Sequence, residues 1–211
     1  MRSFSKWPLR STEGRARKWP DGLVTARVGL STTNMPAVVA LLLPNSSGAQ
    51  DIAAQIGDVR PSGLGMFLAD PNIVPARLAR QIARGSEWVC NFPSVGQHEQ
   101  EFRRYLAEVD LDHAREMRVL SGLGEAGLSI IATVSAERDV AEALSVRPAA
   151  LLVVPPVPEF RNGSVGLERR IALERAVAAQ ADGLPLIGLR ARNEAQHGLA
   201  ASLLPPVEIS R

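Results

Sequence analysis

The 211 residues carry 24 Lys and Arg against 22 Asp and Glu, a formal net charge of +2, with 45% hydrophobic and 22% charged residues. That balance excludes disordered and fibrous chains and offers no strong field for nucleic acid. A single cysteine, Cys90, excludes an internal disulfide and fits a reducing cytoplasm, and no apolar run reaches the roughly 18 residues of a membrane span.

The chain opens on a basic segment, 1–21, in which Arg2, Lys6, Arg10, Arg15, Arg17 and Lys18 face only Glu13 among the first 20 positions. It reads either as a solvated terminus or as an arm for an anion or a partner. Short apolar runs then alternate with helical stretches from residue 22 to 211, the pattern of βα units and a parallel sheet. The strand candidates are Leu23–Leu30, Gly63–Ala69, Glu87–Phe92, Leu128–Val134, Ala149–Val154 and Pro185–Leu189. Their nearly continuous apolar character suits strands covered on both faces. Helices are expected over Ala49–Ile56, Ile73–Ala83, Gln100–Ala126, Ala136–Leu144 and Gly166–Ala181. In the last, Leu167, Ile171, Leu173, Ala176 and Val177 trace an apolar stripe and leave Glu168, Arg169, Arg170 and Glu174 for solvent, with Gly183 as the stop.

Two further strands, Ser3–Leu9 and Pro206–Ser210, would bring the count to eight. The expected architecture is a single α/β domain of (β/α)-barrel type, near the lower size limit for eight units, with an incomplete or atypically closed barrel left open. A missing unit would expose a sheet edge, for which a homodimer is the expected cover.

One stretch carries a family resemblance. Trp88-Val-Cys-Asn-Phe-Pro-Ser-Val-Gly96 is followed by Glu101-Phe-Arg-Arg, Leu106, Glu108, Asp112 and Glu116-Met117. It resembles the phosphoenolpyruvate-hydrolase-like TIM-barrel family, whose Asn-Phe-Pro-Thr-Val-Gly turn leads into a helix with Glu-Met. Upstream, Leu42-Leu43-Pro44 and Asp21-Gly-Leu-Val24 are similar to the family's loop and strand entry, and Gly63 to Pro71 takes the position of the next strand with its Asp-Pro end. Downstream the chain departs from the family. Val153 to Ser164 holds no histidine where the family has Ala-His-Met-Gly, and Gly188 to Glu194 replaces its Cys-His-Gly-Gly-Pro. The resemblance implies a TIM barrel handling a small carbonyl or carboxylate compound by enolate-type, hydrolase or lyase chemistry, in metabolism or a specialised biosynthetic pathway.

In such a barrel the reactive groups sit on loops after the strands, which makes the polar residues there the candidates. Asn91 ends a strand inside the motif and either orients an oxyanion or holds the Phe-Pro turn. His98, beside Glu99, is the candidate for moving a proton, as is Glu159, and His98 also suits a surface or capping role. Asn34, Asp70 and Ser94 are candidates for substrate contact. Asp70 before Pro71 also suits an Asx turn, and no neighbouring carboxylate completes a metal site. Arg190 and Arg192 would hold a carboxylate or phosphate, or else form rim ion pairs with Glu194 or Glu159. Pro155-Pro-Val-Pro158 cannot supply a phosphate cradle, and Cys90 reads as a core residue rather than a nucleophile. The expectation is thus a cytoplasmic, cofactor-independent, metal-free homo-oligomer that binds a small acidic or carbonyl ligand and neither nucleic acid nor membrane. The alternative is a non-catalytic barrel acting as a ligand sensor or structural subunit.

Overall fold

The computed structural model describes residues 6–11, 23–25, 63–82, 86, 88–160, 165–191 and 193–204. The apolar runs become eight strands: β1 Lys6–Ser11, β2 Leu23–Thr25, β3 Gly63–Gly65, β4 Trp88–Cys90, β5 Ser129–Val134, β6 Ala150–Val153, β7 Leu186–Leu189 and β8 Ala201–Leu204. All pairings are parallel and in chain order, and β1 also pairs with β8, so the sheet closes into a barrel. β1 lies within the basic segment, so the barrel begins before residue 22. The eighth strand is Ala201–Leu204, while the expected Pro206–Ser210 lies outside the described residues, as do the helix Ala49–Ile56 and the candidates Asn34 and Arg192. With β1 and β8 joined, the uncovered edge that called for a homodimer is gone.

Five α-helices follow among the described residues: α1 Pro75–Ile82, α2 Gln100–Glu108, α3 His113–Glu125, α4 Val140–Ser145 and α5 Leu167–Ala178. The single helix expected over Gln100–Ala126 is broken at Val109–Asp112. Asp110 adopts φ 53°, and Asp112 caps α3 by accepting the Arg115 amide at 2.9 Å. No glycine or proline marks that break.

Two cores result from the strict alternation of side chains in a strand. Inside the barrel sit Cys90, Phe92, Ile131, Leu152, Ile187 and Leu203. Between barrel and helices pack Leu64, Val89, Ala132, Leu151 and Leu186 from the sheet, with Leu78, Leu120 and Val177 from the helices. Gly122 on α3 lets α1 come close, since a Cβ there would stand 2.9 Å from the Pro75 side chain.

The inward stripe of α5 is the main departure from the sequence pattern. Arg170 and Glu174, expected in solvent, are buried with Val177 and Ala181 on one face. Both are compensated. Arg170 bonds the Leu189 carbonyl at 2.6 Å and Glu194 at 2.7 and 2.9 Å, and Glu174 takes both terminal nitrogens of Arg190. Buried charges are tolerated in this way only when paired and hydrogen-bonded.

Candidate functional site around the β4 loop

The 91–99 loop begins where Asn91 leaves β4, at a position that alternates with Cys90 and so faces the helices rather than the barrel interior. Its side-chain oxygen accepts the Thr133 amide at 2.7 Å, taking over as acceptor in the ladder to β5. Its amide nitrogen donates to Ser94 Oγ at 3.2 Å and to Glu116 on α3 at 3.1 Å. Ser94 then closes a capping box with Gln97 over the short 3-10 helix Val95–Gln97, and the Phe92–Pro93 peptide is cis.

Glu116 gathers the loop. Completely buried, it accepts from Asn91, from Ser94 Oγ at 2.6 Å and from the Val95 amide at 3.0 Å, and it pairs with His113 Nδ1 at 3.2 Å. His113 and Glu116 stand three apart in the first turn of α3, which puts both side chains on its inward face. Every motif residue from Asn91 to Glu116 that carries the family resemblance and bonds in this network therefore helps to fix the loop.

Two buried histidines share this region and are shifted in opposite directions. Burial, opposed in part by the charge of Glu116, holds His98 below the ordinary 6.5, with Arg103 pushing the same way as burial. His98 also packs edge-on against Phe102. At His113 burial again disfavours the charged ring, but the hydrogen bond and charge of Glu116, with Glu142 and Asp139, outweigh it and raise the pKa above 6.5.

Beside them α2, α3 and α4 enclose an open cleft of about 860 Å³, lined by Gln100, Arg103, Arg104, His113, Arg138 and Glu142 among others. Arg103 donates to Asp139 at 2.8 Å, and His113 Nε2 lies 3.9 Å from Glu142. Three buried polar atoms here have no hydrogen-bond partner: His113 Nε2, Arg103 Nη1 and Asp139 Oδ2. No group of three or more potential metal ligands occurs among the described residues.

The remaining sequence candidates do not join this cluster. Asp70 forms an Asx turn, accepting the Asn72 amide at 2.8 Å. Glu159 takes both donors of Arg169, at 2.8 and 3.1 Å. Arg190 lies 1% exposed, outside the barrel wall against α5, bound to Glu174 and to the carbonyls of Leu189, Ala195 and Gln196. Its partner is thus Glu174, neither of the rim carboxylates expected, and Glu194 belongs to Arg170, which lowers the Glu194 pKa. His113 falls inside the helix expected over Gln100–Ala126, where a histidine carries no signal of its own. The signal that finds it is the Asp112 cap, which makes His113 the first helical residue and sets Glu116 one turn on.

No family model matches the chain, and no curated protein matches it. Among solved structures, one described as "Native KDPGal structure" aligns over 100% of this chain and 88% of that chain, at 15% identity and a TM-score of 0.46. A likeness that faint carries no argument about chemistry. No helix among the described residues is long and apolar enough to cross a membrane. By its own strand pairing, the chain is an α/β protein of the TIM-barrel-like class.

Proposed function

We propose that the chain is an enzyme of small-molecule metabolism that moves a proton on a carbonyl- or carboxylate-bearing substrate, the chemistry implied by its resemblance to the phosphoenolpyruvate-hydrolase-like barrels. One observation carries the reading: two buried histidines beside one carboxylate, Glu116, with pKa values driven apart, His98 down and His113 up. Groups separated in this way divide the roles of base and acid at neutral pH. In this reading His98 takes the proton next to the carbonyl, and His113, held by Glu116, donates to the oxyanion that forms. The cleft carries Arg103, Arg104 and Arg138 alongside Glu101, Asp112 and Glu142, and in this reading its arginines hold the acid group of the substrate. Asn91, Ser94 and Glu116 act as positioning residues. The cytoplasmic, cofactor-independent homo-oligomer expected from the sequence belongs to this reading.

The test is exchange of carbon-bound protons for deuterium in pyruvate, oxaloacetate and lactate, followed by NMR. His98→Gln is expected to slow exchange by about 10²–10⁴-fold. Absence of exchange across that set would transfer support to a non-catalytic barrel. That second reading is favoured by the engagement of Asn91, Glu159 and Arg190 in structural bonds.

A further inference from the structure

His113 stands between two carboxylates that differ in their freedom to move away. Its Nδ1 lies 3.2 Å from Glu116 Oε2, and its Nε2, which has no hydrogen-bond partner, lies 3.9 Å from Glu142 Oε2. Glu116 is completely buried and is held as well by Asn91, Ser94 and the Val95 amide. Glu142, by contrast, has a side chain 40% exposed at the edge of the cleft, on the six-residue helix α4. One ring therefore spans the distance from the anchored β4 loop to the cleft wall.

A neutral imidazole carries one N–H and a charged one carries two. The neutral ring can satisfy only one of these carboxylates and turns a bare lone pair toward the other, whereas the charged ring attracts both. Burial opposes the charge, but Glu116 on the same helix, with Glu142 and Asp139 from α4 and the turn before it, outweighs burial. Arg103 of α2 and Arg138 lie 2.8 and 3.8 Å from Asp139 Oδ1 and temper its pull. From the 91–99 loop, His98 also faces Glu116, and Glu99 bears on His98. When the ring loses its proton, the surroundings decide which side yields. Glu116 keeps three other donors, and Glu142 has solvent to turn to. Helix α4 buries only Val140 and Ala143, and a helix that short depends on ties to its neighbours. We infer that His113 is a pH-operated clasp on the cleft wall: charged, it ties α4 to α3, and neutral, it keeps Glu116 and releases Glu142. The clasp goes beyond the proposed activity and requires no substrate.

Nuclear magnetic resonance of the full chain between about pH 5 and pH 9 tests the clasp. The His113 ring is expected to titrate above 6.5. Amide exchange in α4, corrected for its intrinsic rise with pH, should quicken by about two- to fivefold through that midpoint, the scale of a half-exposed ion pair. Exchange in α5 reports opening of the whole molecule and should stay level. Glu142→Gln is expected to hold α4 at its high-pH rate throughout and to lower the His113 midpoint. Glu142→Ala, which cannot form a new bond to Nε2, should do the same. Exchange in α4 that stays flat across the His113 midpoint overturns the inference. So does quickening of α4 and α5 together, or a midpoint that neither variant moves. No substrate enters these measurements, so the clasp and the proposed activity fail separately: a chain that exchanges no carbon-bound protons can still release α4, and an active one can lack the switch.

Discussion

Glu174 and Arg190, sixteen residues apart, meet through two parallel hydrogen bonds of 2.6 and 2.5 Å between α5 and the end of β7, both side chains nearly sealed from solvent. Glu174→Ala leaves the guanidinium buried and uncompensated, and is expected to lower stability by about 3–5 kcal/mol in chemical denaturation. Gly188 on β7 is bound to the same pair, because a Cβ there would overlap Glu174 Oε1 and come within 2.8 Å of Leu199. Gly188→Ala is therefore expected to destabilise as well, although alanine suits a strand no worse than glycine. A variant as stable as the parent would show that the pair can shift.

The anchoring of the β4 loop gives a second expectation. Glu116→Ala strips partners from Asn91, Ser94, the Val95 amide and His113 together. A loss of about 3–5 kcal/mol follows from leaving several buried donors unpaired. Amide exchange is expected to rise at Val95, bonded to Glu116, and at Thr133, bonded through Asn91. Uniform acceleration over the whole molecule, with no local excess, would refute the anchoring role.

Opposite pH dependences are expected of the two histidines. The raised pKa of His113, facing Glu116, Glu142 and Asp139, contributes stability that is fully present below about 6.5 and is lost as pH rises through the higher folded value. The depressed pKa of His98, facing Glu116, Glu99 and Arg103, works the other way, removing stability as pH falls below about 6.5 toward the folded value. His113→Gln should therefore cost most in acid and least in base, whereas His98→Gln should relieve the acid-side loss. Denaturation midpoints between about pH 5 and pH 9 measure both slopes, and parallel slopes for the two variants would contradict the assignment.

Cys90 offers a simple probe of the barrel interior. Burial raises its thiol to about 12, against a weaker opposing hydrogen bond with Thr133 at 3.3 Å. The native protein is expected to resist alkylation near pH 8 and to react promptly once unfolded in urea. Rapid native reaction would mean that the interior opens on its own.

Much of the fold was legible because burial on two faces writes itself as apolar runs. Leu128–Val134 and Ala149–Val154 lie within a residue or two of β5 and β6 for that reason. Where polar residues supply the packing, the same logic inverts. Arg170 and Glu174 look like a solvated face of α5 until Glu194 and Arg190, from elsewhere in the chain, arrive to neutralise them. β8 is four residues long, too brief a pattern to separate from a loop. The candidate site was half visible. His98 and Asn91 stood out by type and by motif. His113, Arg103 and Asp139 did not, because they lie on three separate stretches of chain that only the fold brings together.

The charged seam between α5 and the barrel also sets how the molecule responds to heat. The penalty for withdrawing ions from water falls as temperature rises, while the gain from burying hydrocarbon levels off. The α5 side, held by Arg170 and Glu174, keeps more of its grip on warming than the α1 side, where Leu78, Ala79 and Ile82 provide the buried contacts. Of these two helices, α1 is therefore expected to loosen first on heating.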